Sequence, residues 1–512
     1  MIRFIRNLSR LLHIARVLAR HDALFLLDHF GIGHQVALLV KLTNWRKAPG
    51  RPGQRLAAAL IELGPSFIKF GQTLSTRSDI LGDEIAADLS ELQDRLEPFP
   101  GPQARATVEA ELAQPLDSLF SSFDDVPVAA ASIAQVHFAV TTEGREVAVK
   151  VLRPGIEEAF ARDLDFLMWL AEIVEATQPS LRRLKPVETV RTIEETVTLE
   201  MDLRFEAAAA AEMAENFAGD DSFSIPEVDW TRTAKRTLTL ERVHGIPVDE
   251  RERLIEAGFD PKILVEKAAV AFFNQVFRDG FFHADMHPGN MFVSENGQLI
   301  AVDFGITGRI DLSTRRYLGE MLLGFLTGDY KRAAEVHFEA GYVPGHKSVE
   351  QFAQACRSIA EPILGRPLAE ISIARLLGQL FQITETFEME VQPQLLLLQK
   401  SMLVTEGVGR TLCPELNMWF LARPLVEGWM ADHLGPLARL KDAVTGKAGG
   451  LSSIPHIIAQ GQRVAGMLSS QGLRLHPDTL NALTTGRKRK FCSACLLAWS
   501  LVLVMLVVIL LR

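Results

Sequence analysis

The sequence predicts an α+β fold in which a small mixed lobe precedes a larger helical lobe. Three observations carry that reading. β-Branched, alternating runs lie at 128–140, 145–152 and 237–243, the texture of short, half-buried strands. Helix-patterned stretches flank them, before at 21–100 and after at 260–432. The order of strands, long helices, a further strand and then helices separates a mixed lobe from a helical one. Finally, residues 491–511 read FCSACLLAWSLVLVMLVVILL and carry no charge.

Taken in chain order, 1–22 reads as a basic amphipathic helix lying on a membrane surface. Arg3, Arg6, Arg10, Arg16 and Arg20 alternate with apolar residues, and the first acid is Asp22. An ordinary domain-edge helix and an Arg-rich transit peptide are the rival readings. Residues 23–124 form a helical extension, broken at 48–54 (APGRPGQ) and at Gly64-Pro65. The mixed lobe is expected over 125–245, with two strands joined by a turn at Gly144, helices at 156–178 and 186–217, and a strand at 237–243. The helical lobe follows over 246–435, interrupted by the polar loop 283–290 and a short strand at 299–304. A linker or amphipathic segment fills 436–490. The uncharged 491–511 would span roughly 31 Å as a helix, enough to cross a bilayer. Arg487, Lys488, Arg489 and Lys490 would hold its near end on the cytoplasmic side. Cys492 and Cys495 read as apolar residues of that segment rather than a metal pair.

Composition narrows the function. Hydrophobic residues make up 48% of the 512-residue chain, enough for a large core. Four cysteines rule out a disulfide scaffold and fit a reducing compartment. A net charge of −9 gives no electrostatic case for nucleic acid.

Four pieces lie in an order that points to phosphoryl transfer. Lys150 ends the strand string Val147-Ala148-Val149-Lys150, where a compact cation can pair with nucleotide phosphates. Asp285 precedes Asn290 by five residues in HADMHPGN (283–290). That spacing suits an aspartate that accepts a hydroxyl proton and an asparagine that holds a metal. Asp303-Phe304-Gly305 follows a strand, 13 residues after Asn290, and its aspartate suits Mg²⁺. Glu200 and Glu206 lie between lysine and loop, and either can form the ion pair that positions Lys150. His283, Asp285 and His287 also invite a zinc reading, but that leaves Asn290 and Asp303 idle. His283 reads as a loop brace, and His287 as a residue that orients Asp285 or its substrate. Together the pieces predict a protein-kinase-like two-lobed fold using ATP and Mg²⁺. A Walker A string and a GxGxxG loop are absent. The corresponding strands carry Val128-Ala129-Ala130-Ala131-Ser132-Ile133-Ala134-Gln135-Val136, where each alanine puts a Cβ beside the phosphates.

These departures resemble the UbiB family of atypical protein-kinase-like proteins, most like its bacterial members. LGPSFIKFGQ (63–72) is similar to its KxGQ segment, Glu200-Met201-Asp202 to its ExD motif, 129–132 (AAAS) to its alanine-rich loop and FFHADMHPGN (281–290) to its signature. LAEISI (368–373) and EVQPQLLLLQKSMLVTEGVGR (390–410) extend the likeness to roughly 20–435. The resemblance implies that Lys69 and Gln72 belong to a helical extension folded over the active site. A lysine on an apolar helix wants a carboxylate partner, and Glu200 or Asp202 can supply one. It further implies ubiquinone biosynthesis at the bacterial inner membrane, with the catalytic domain facing the cytoplasm. The expected partners are membrane lipids, polyprenylphenol or quinone precursors or the enzymes that modify them, and a second copy of the chain as a homodimer. A nucleotide-gated, non-catalytic scaffold is the rival function. A quinone-ring hydroxylase lacks a visible flavin, haem or iron motif.

Overall fold

The computed structural model describes residues 2–23, 49–75, 83–90, 97–177, 186–362, 383–384, 386–389, 393–415 and 418–434. The chain forms two compact units, Met1–Trp429 and Met430–Arg512. Of the second, residues 430–434 are described, as the end of a helix. The expected linker at 436–490 and the expected membrane span at 491–511, with Cys492 and Cys495, lie outside the described residues. So does 368–373. Among the described residues, no helix is long and apolar enough to cross a membrane.

The helical extension contains α1 (Ile2–Arg20), α2 (Pro52–Leu63), α3 (Pro65–Ser75) and α4 (Asp83–Ser90). Gly64, at φ 104, ends α2 in a conformation that an L side chain rarely adopts, and Pro65 opens α3. Ile14 and Val17 of α1 pack with Leu56, Ala59, Leu60, Leu63, Phe67, Leu89 and Phe166 in one apolar cluster. Arg10 donates to Asp163 at 2.9 Å, and Arg6 and Arg20 pair with Asp165 and Glu62. Beyond its first turn, α1 is thus a strut on protein. The expected lipid-facing surface is occupied by α2, and three of its basic residues have protein acids as partners.

In the mixed lobe, α5 (Gly101–Leu112) precedes β1 (Phe120–Phe123), β2 (Ala129–Ala130), β3 (Ala134–Thr141) and β4 (Glu146–Leu152). Helices α6 (Ile156–Thr177), α7 (Pro186–Glu200) and α8 (Leu203–Asn216) follow, then β5 (Phe223–Ser224) and β6 (Thr237–Glu241). The antiparallel sheet runs β1-β3-β4-β6, with β2 against β3. Side chains alternate across a strand. Val147, Val149 and Val151 therefore enter the cluster formed with Phe99, Ala104, Val108, Phe120 and Phe123, while Lys150 faces the other way. Lys150 stands in register between Val136 and Leu238. The sheet begins at Phe120, ahead of the expected 125. The helix expected over 186–217 is two helices, because Asp202 leaves helical geometry and accepts a hydrogen bond from Arg204 N as the cap of α8.

In the helical lobe, β7 (Ile246–Pro247) and α9 (Pro261–Phe273) lead into a π-helical turn, Asn274–Asp279. Gly280, at φ 68, turns the chain into β8 (Phe281–His283); a Cβ there would lie 2.6 Å from Ile310 O. Strands β9 (Met291–Val293), β10 (Leu299–Ala301) and β11 (Thr307–Arg309) complete two small sheets, ordered β5-β10-β9-β7 and β11-β8. The sequence reading finds only the strand at β10. Then come α10 (Leu312–Thr327), α11 (Tyr330–Glu339), α12 (Val349–Ala360), α13 (Pro393–Leu412) and α14 (Met418–Leu434). Helix α13 packs on α9 and β11.

Leu56 is 1% exposed at the centre of the α1–α2–α3 cluster. Leu56→Ala is expected to lower unfolding free energy by about 2–4 kcal/mol, read from urea denaturation. An unchanged midpoint would mean that the extension does not fold with the rest of the chain.

Candidate active site

Strand β4 delivers Lys150 to two carboxylates. Its Nζ lies 2.8 and 2.9 Å from the Glu206 carboxylate oxygens and 2.9 Å from Asp303 Oδ1. Of the two expected partners, Glu206 of α8 takes this role and Glu200 does not. Burial would strip the Lys150 proton, but Asp303 and Glu206 outweigh it and hold the ammonium charged above its ordinary range. Against the effect of burial, Lys150 keeps the Asp303 carboxyl below the usual carboxylate range. Burial, with Asp303 adding to it, pushes Glu206 up to about 7 despite Lys150. Two carboxylates share this ammonium, and Lys69 adds its positive field at Asp303.

The Asp303 backbone is strained. It sits at φ 64, a left-handed conformation that costs a non-glycine residue about 1 kcal/mol. Its side chain remains 46% exposed while Lys150 and Glu206 are largely buried. Phe304 beside it is buried and tilted against the His283 ring, 5.1 Å between centroids.

The 283–290 loop hangs between the two small sheets. Ala284 N donates to Ile306 O at 2.9 Å, and Val302 N donates to Asn290 O at 2.9 Å. His283 is fully buried and accepts from Asp285 N at Nδ1 (3.0 Å). The proton must then sit on Nε2, which donates to Val302 O at 3.2 Å. Burial holds its pKa below the ordinary value. Both nitrogens are engaged, so His283 is a brace, and the HxDxH zinc reading loses its first ligand. His287 caps the turn through Gly289 N at 3.0 Å, and its Nε2 lies 4.0 Å from Asp285 Oδ2. Asn290 Nδ2 donates to Asp285 O at 3.1 Å, which orients the amide so that Oδ1 is the atom to offer a cation. Asn290 and Asp303 supply oxygen ligands with one carboxylate, a donor set that fits Mg²⁺.

Residues 128–136 form a tight hairpin. Val128 N donates to Val136 O and Ala131 N to Ala134 O, each at 2.8 Å, and Ala129 and Ala130 pair with Val136 and Gln135. Arg153 clamps the turn, its N donating to Ile133 O and its Nε and Nη2 to Ala131 O. Ser132 is buried, and its Oγ has no hydrogen-bond partner among the described residues. Gln135 corrects the expectation that the whole segment lines the nucleotide site. Its side chain faces away from Lys150 and bonds Phe99 N and O at 3.0 and 3.1 Å. On the extension, Lys69 pairs with Glu200 at 2.9 Å, both largely buried. Asp202 caps α8 and binds the Arg204 guanidinium at 2.8 and 2.6 Å. Gln72 lies partly buried on the same helix as Lys69.

Three residues escaped the sequence reading. Lys400 Nζ lies 2.9 Å from Asp285 Oδ1; its one sequence signal is a lone cation inside LLLLQKSMLV (395–404). Gln275, on the π-helical turn, accepts from His283 N at 2.9 Å and reaches Met286 Sδ at 3.8 Å. It braces the loop from behind, and nothing in FFNQVF announces that. Arg153 is the third.

Comparison with known proteins gives the family. The family model of the ABC1 atypical kinase-like domain matches 91–337, and that of the UbiB helical domain matches 356–417. A Marinobacter nauticus protein named "Probable protein kinase UbiB" is 44% identical over 442 residues, covering 85% of this chain and 81% of that one. This chain belongs to the UbiB family. Proteins of the same name from Aliivibrio fischeri and Pseudomonas putida are 44% and 43% identical over 84% and 88% of this chain, and 81% and 84% of their own lengths. The solved complex of Rv3197 with erythromycin from Mycobacterium tuberculosis matches at a TM-score of 0.52 and 23% identity. It covers 76% of this chain and 97% of that one. At that identity the likeness shows the fold: the two-lobed, kinase-like α+β architecture.

His137 and His283 are buried and His337 is half-buried, and desolvation lowers the pKa of each. Through these three groups the unfolded chain binds more protons than the folded one once pH falls below about 6.5. Glu206, pushed up to about 7, holds its proton in the folded chain and offsets one of the three. Stability should be full above that value and decline from pH 7 to pH 5.5, by up to about 1.4 kcal/mol per histidine per pH unit. Urea midpoints at the two pH values check it; equal midpoints would contradict the buried neutral histidines.

Proposed function

We propose that this UbiB-family chain is an ATP- and Mg²⁺-dependent phosphoryl-transfer protein, kinase or ATPase, that supports ubiquinone biosynthesis at the bacterial inner membrane. The observation that carries the reading is the shared ammonium of Lys150 between Glu206 and Asp303, set beside a loop that presents Asp285. Lys150 clamps nucleotide phosphates, and Glu206 holds it in place. Asn290 and Asp303 would hold Mg²⁺, which would supply positive charge against the phosphates. The exposed Asp303 carboxylate, held at φ 64, suits such an ion. Asp285 accepts the proton of the attacking hydroxyl or orients water. Its main chain is held at N by His283 and at O by Asn290, which fixes where the carboxylate is presented.

The Lys69–Glu200 pair ties the helical extension to the helix that precedes α8. That cover supports slow hydrolysis or transfer to a small acceptor such as a polyprenylphenol precursor, in preference to a protein substrate. The uncharged 491–511 and its flanking basic cluster support delivery of the site to a lipid-borne substrate, with the catalytic domain on the cytoplasmic side.

ATP turnover by the full chain in liposomes tests the assignment. Asp285→Asn is expected to reduce turnover by about 10²-fold or more with the melting temperature preserved. Equal turnover in both proteins would remove Asp285 from the chemistry. Restoration of quinone synthesis by Asp285→Asn in a null strain would favour a nucleotide-gated scaffold.

A further inference from the structure

The base candidate Asp285 is paired with a cation from outside the kinase-like domain. Lys400 Nζ lies 2.9 Å from Asp285 Oδ1. It rises from α13, within 356–417, the part matched by the UbiB helical domain. Helix α13 packs on α9 and on β11. Strand β11 pairs with β8, which runs directly into the 283–290 loop. The same elements therefore position both members of the pair.

Three features make this ammonium more than a strut. The Lys400 and Asp285 side chains are 42% and 27% exposed, and an ion pair so open to water contributes little net stability and exchanges partners readily. Lys150, the cation on β4, is already shared by two carboxylates. The terminal phosphate of a triphosphate brings negative charge to the neighbourhood of Asp285, where an uncompensated carboxylate would repel it.

We infer that Lys400 is the terminal-phosphate cation of this site. It rests on Asp285 in the nucleotide-free protein and moves to the terminal phosphate when a nucleoside triphosphate binds. The inference depends on the phosphoryl-transfer reading above. In that reaction the bond from the terminal phosphorus to the oxygen bridging to the diphosphate breaks. A bond from the phosphorus to the acceptor oxygen, of a hydroxyl or of water, forms. The acceptor proton passes to the Asp285 carboxylate, and the nucleoside diphosphate leaves with the bridging oxygen. Lys400 keeps its three protons and its charge throughout. Pairing with the phosphate frees Asp285 Oδ1 to take the proton and offsets charge on the transferred group. The helical domain thereby contributes a side chain to the reaction.

The test compares ADP with a non-hydrolysable ATP analogue, each with Mg²⁺, on the full-length wild type, Lys400→Met, Lys400→Gln and Lys400→Arg, alongside ATP turnover. The uncharged variants are expected to weaken the analogue by about tenfold or more. ADP affinity should stay within about twofold, because ADP lacks the phosphate that Lys400 meets. Lys400→Arg should recover most of the analogue affinity, and turnover should follow the analogue. Lys400→Gln stands in if the methionine variant does not fold. Unchanged analogue affinity in the uncharged variants overturns the inference, as does equal loss of both nucleotides, which marks a structural strut. Turnover above wild type also overturns it, since that marks an inhibitory latch. A wild type that binds neither nucleotide would instead defeat the phosphoryl-transfer reading itself.

Discussion

One ammonium organises this structure. Lys150 reaches from the mixed-lobe sheet to Glu206 on α8 and to Asp303 at the end of the helical-lobe strands. It thus joins elements far apart in sequence. Its pairing with Glu206 is largely buried, so removing the lysine would leave two carboxylates without their shared cation. The third member, Asp303, is more exposed and held in left-handed backbone geometry. The stable part of the triad grips the lysine, and the accessible part is left for a ligand.

The surrounding fold maintains that arrangement. The antiparallel register of β3, β4 and β6 buries valines on one face and puts Lys150 on the other. The break at Asp202 lets α8 start afresh and bring Glu206 to the lysine, while Glu200, at the end of α7, is left to Lys69. In the helical lobe, β8–β11 and β9–β10 hold both ends of the 283–290 loop. Inside it, His283 and Gln275 satisfy the buried polar groups, so the Asp285 side chain projects from a rigid frame.

Much of this was legible in the residues, and the exceptions have physical reasons. Lys150, Asp285, Asn290 and Asp303 stand out because their chemistry has an order and a spacing along the chain. The choice between Glu200 and Glu206 did not, since a two-residue interruption changes which helical face each occupies. Asp202 looked like a partner for Lys69 because a carboxylate can serve an ion pair or a helix cap, and sequence does not rank the two. The basic residues of α1 suggested lipid, yet an amphipathic helix serves equally well to dock on protein acids such as Asp163. Strands β8, β9 and β11 are three residues each, too short for alternation to register; β10, equally short, stands out only through the apolar run that leads into Asp303. Lys400 was hidden by distance: its partner lies 115 residues away.

The central claim is that Lys150 and Glu206 act as one unit in holding Mg²⁺-nucleotide. A double-mutant cycle measures it directly, with Mg²⁺-ATP affinity determined for wild type, Lys150→Met, Glu206→Gln and the double variant. The account predicts that the double variant loses little more than Lys150→Met alone, a coupling on the order of 2 kcal/mol. Additive losses, or full affinity in Glu206→Gln, would contradict it.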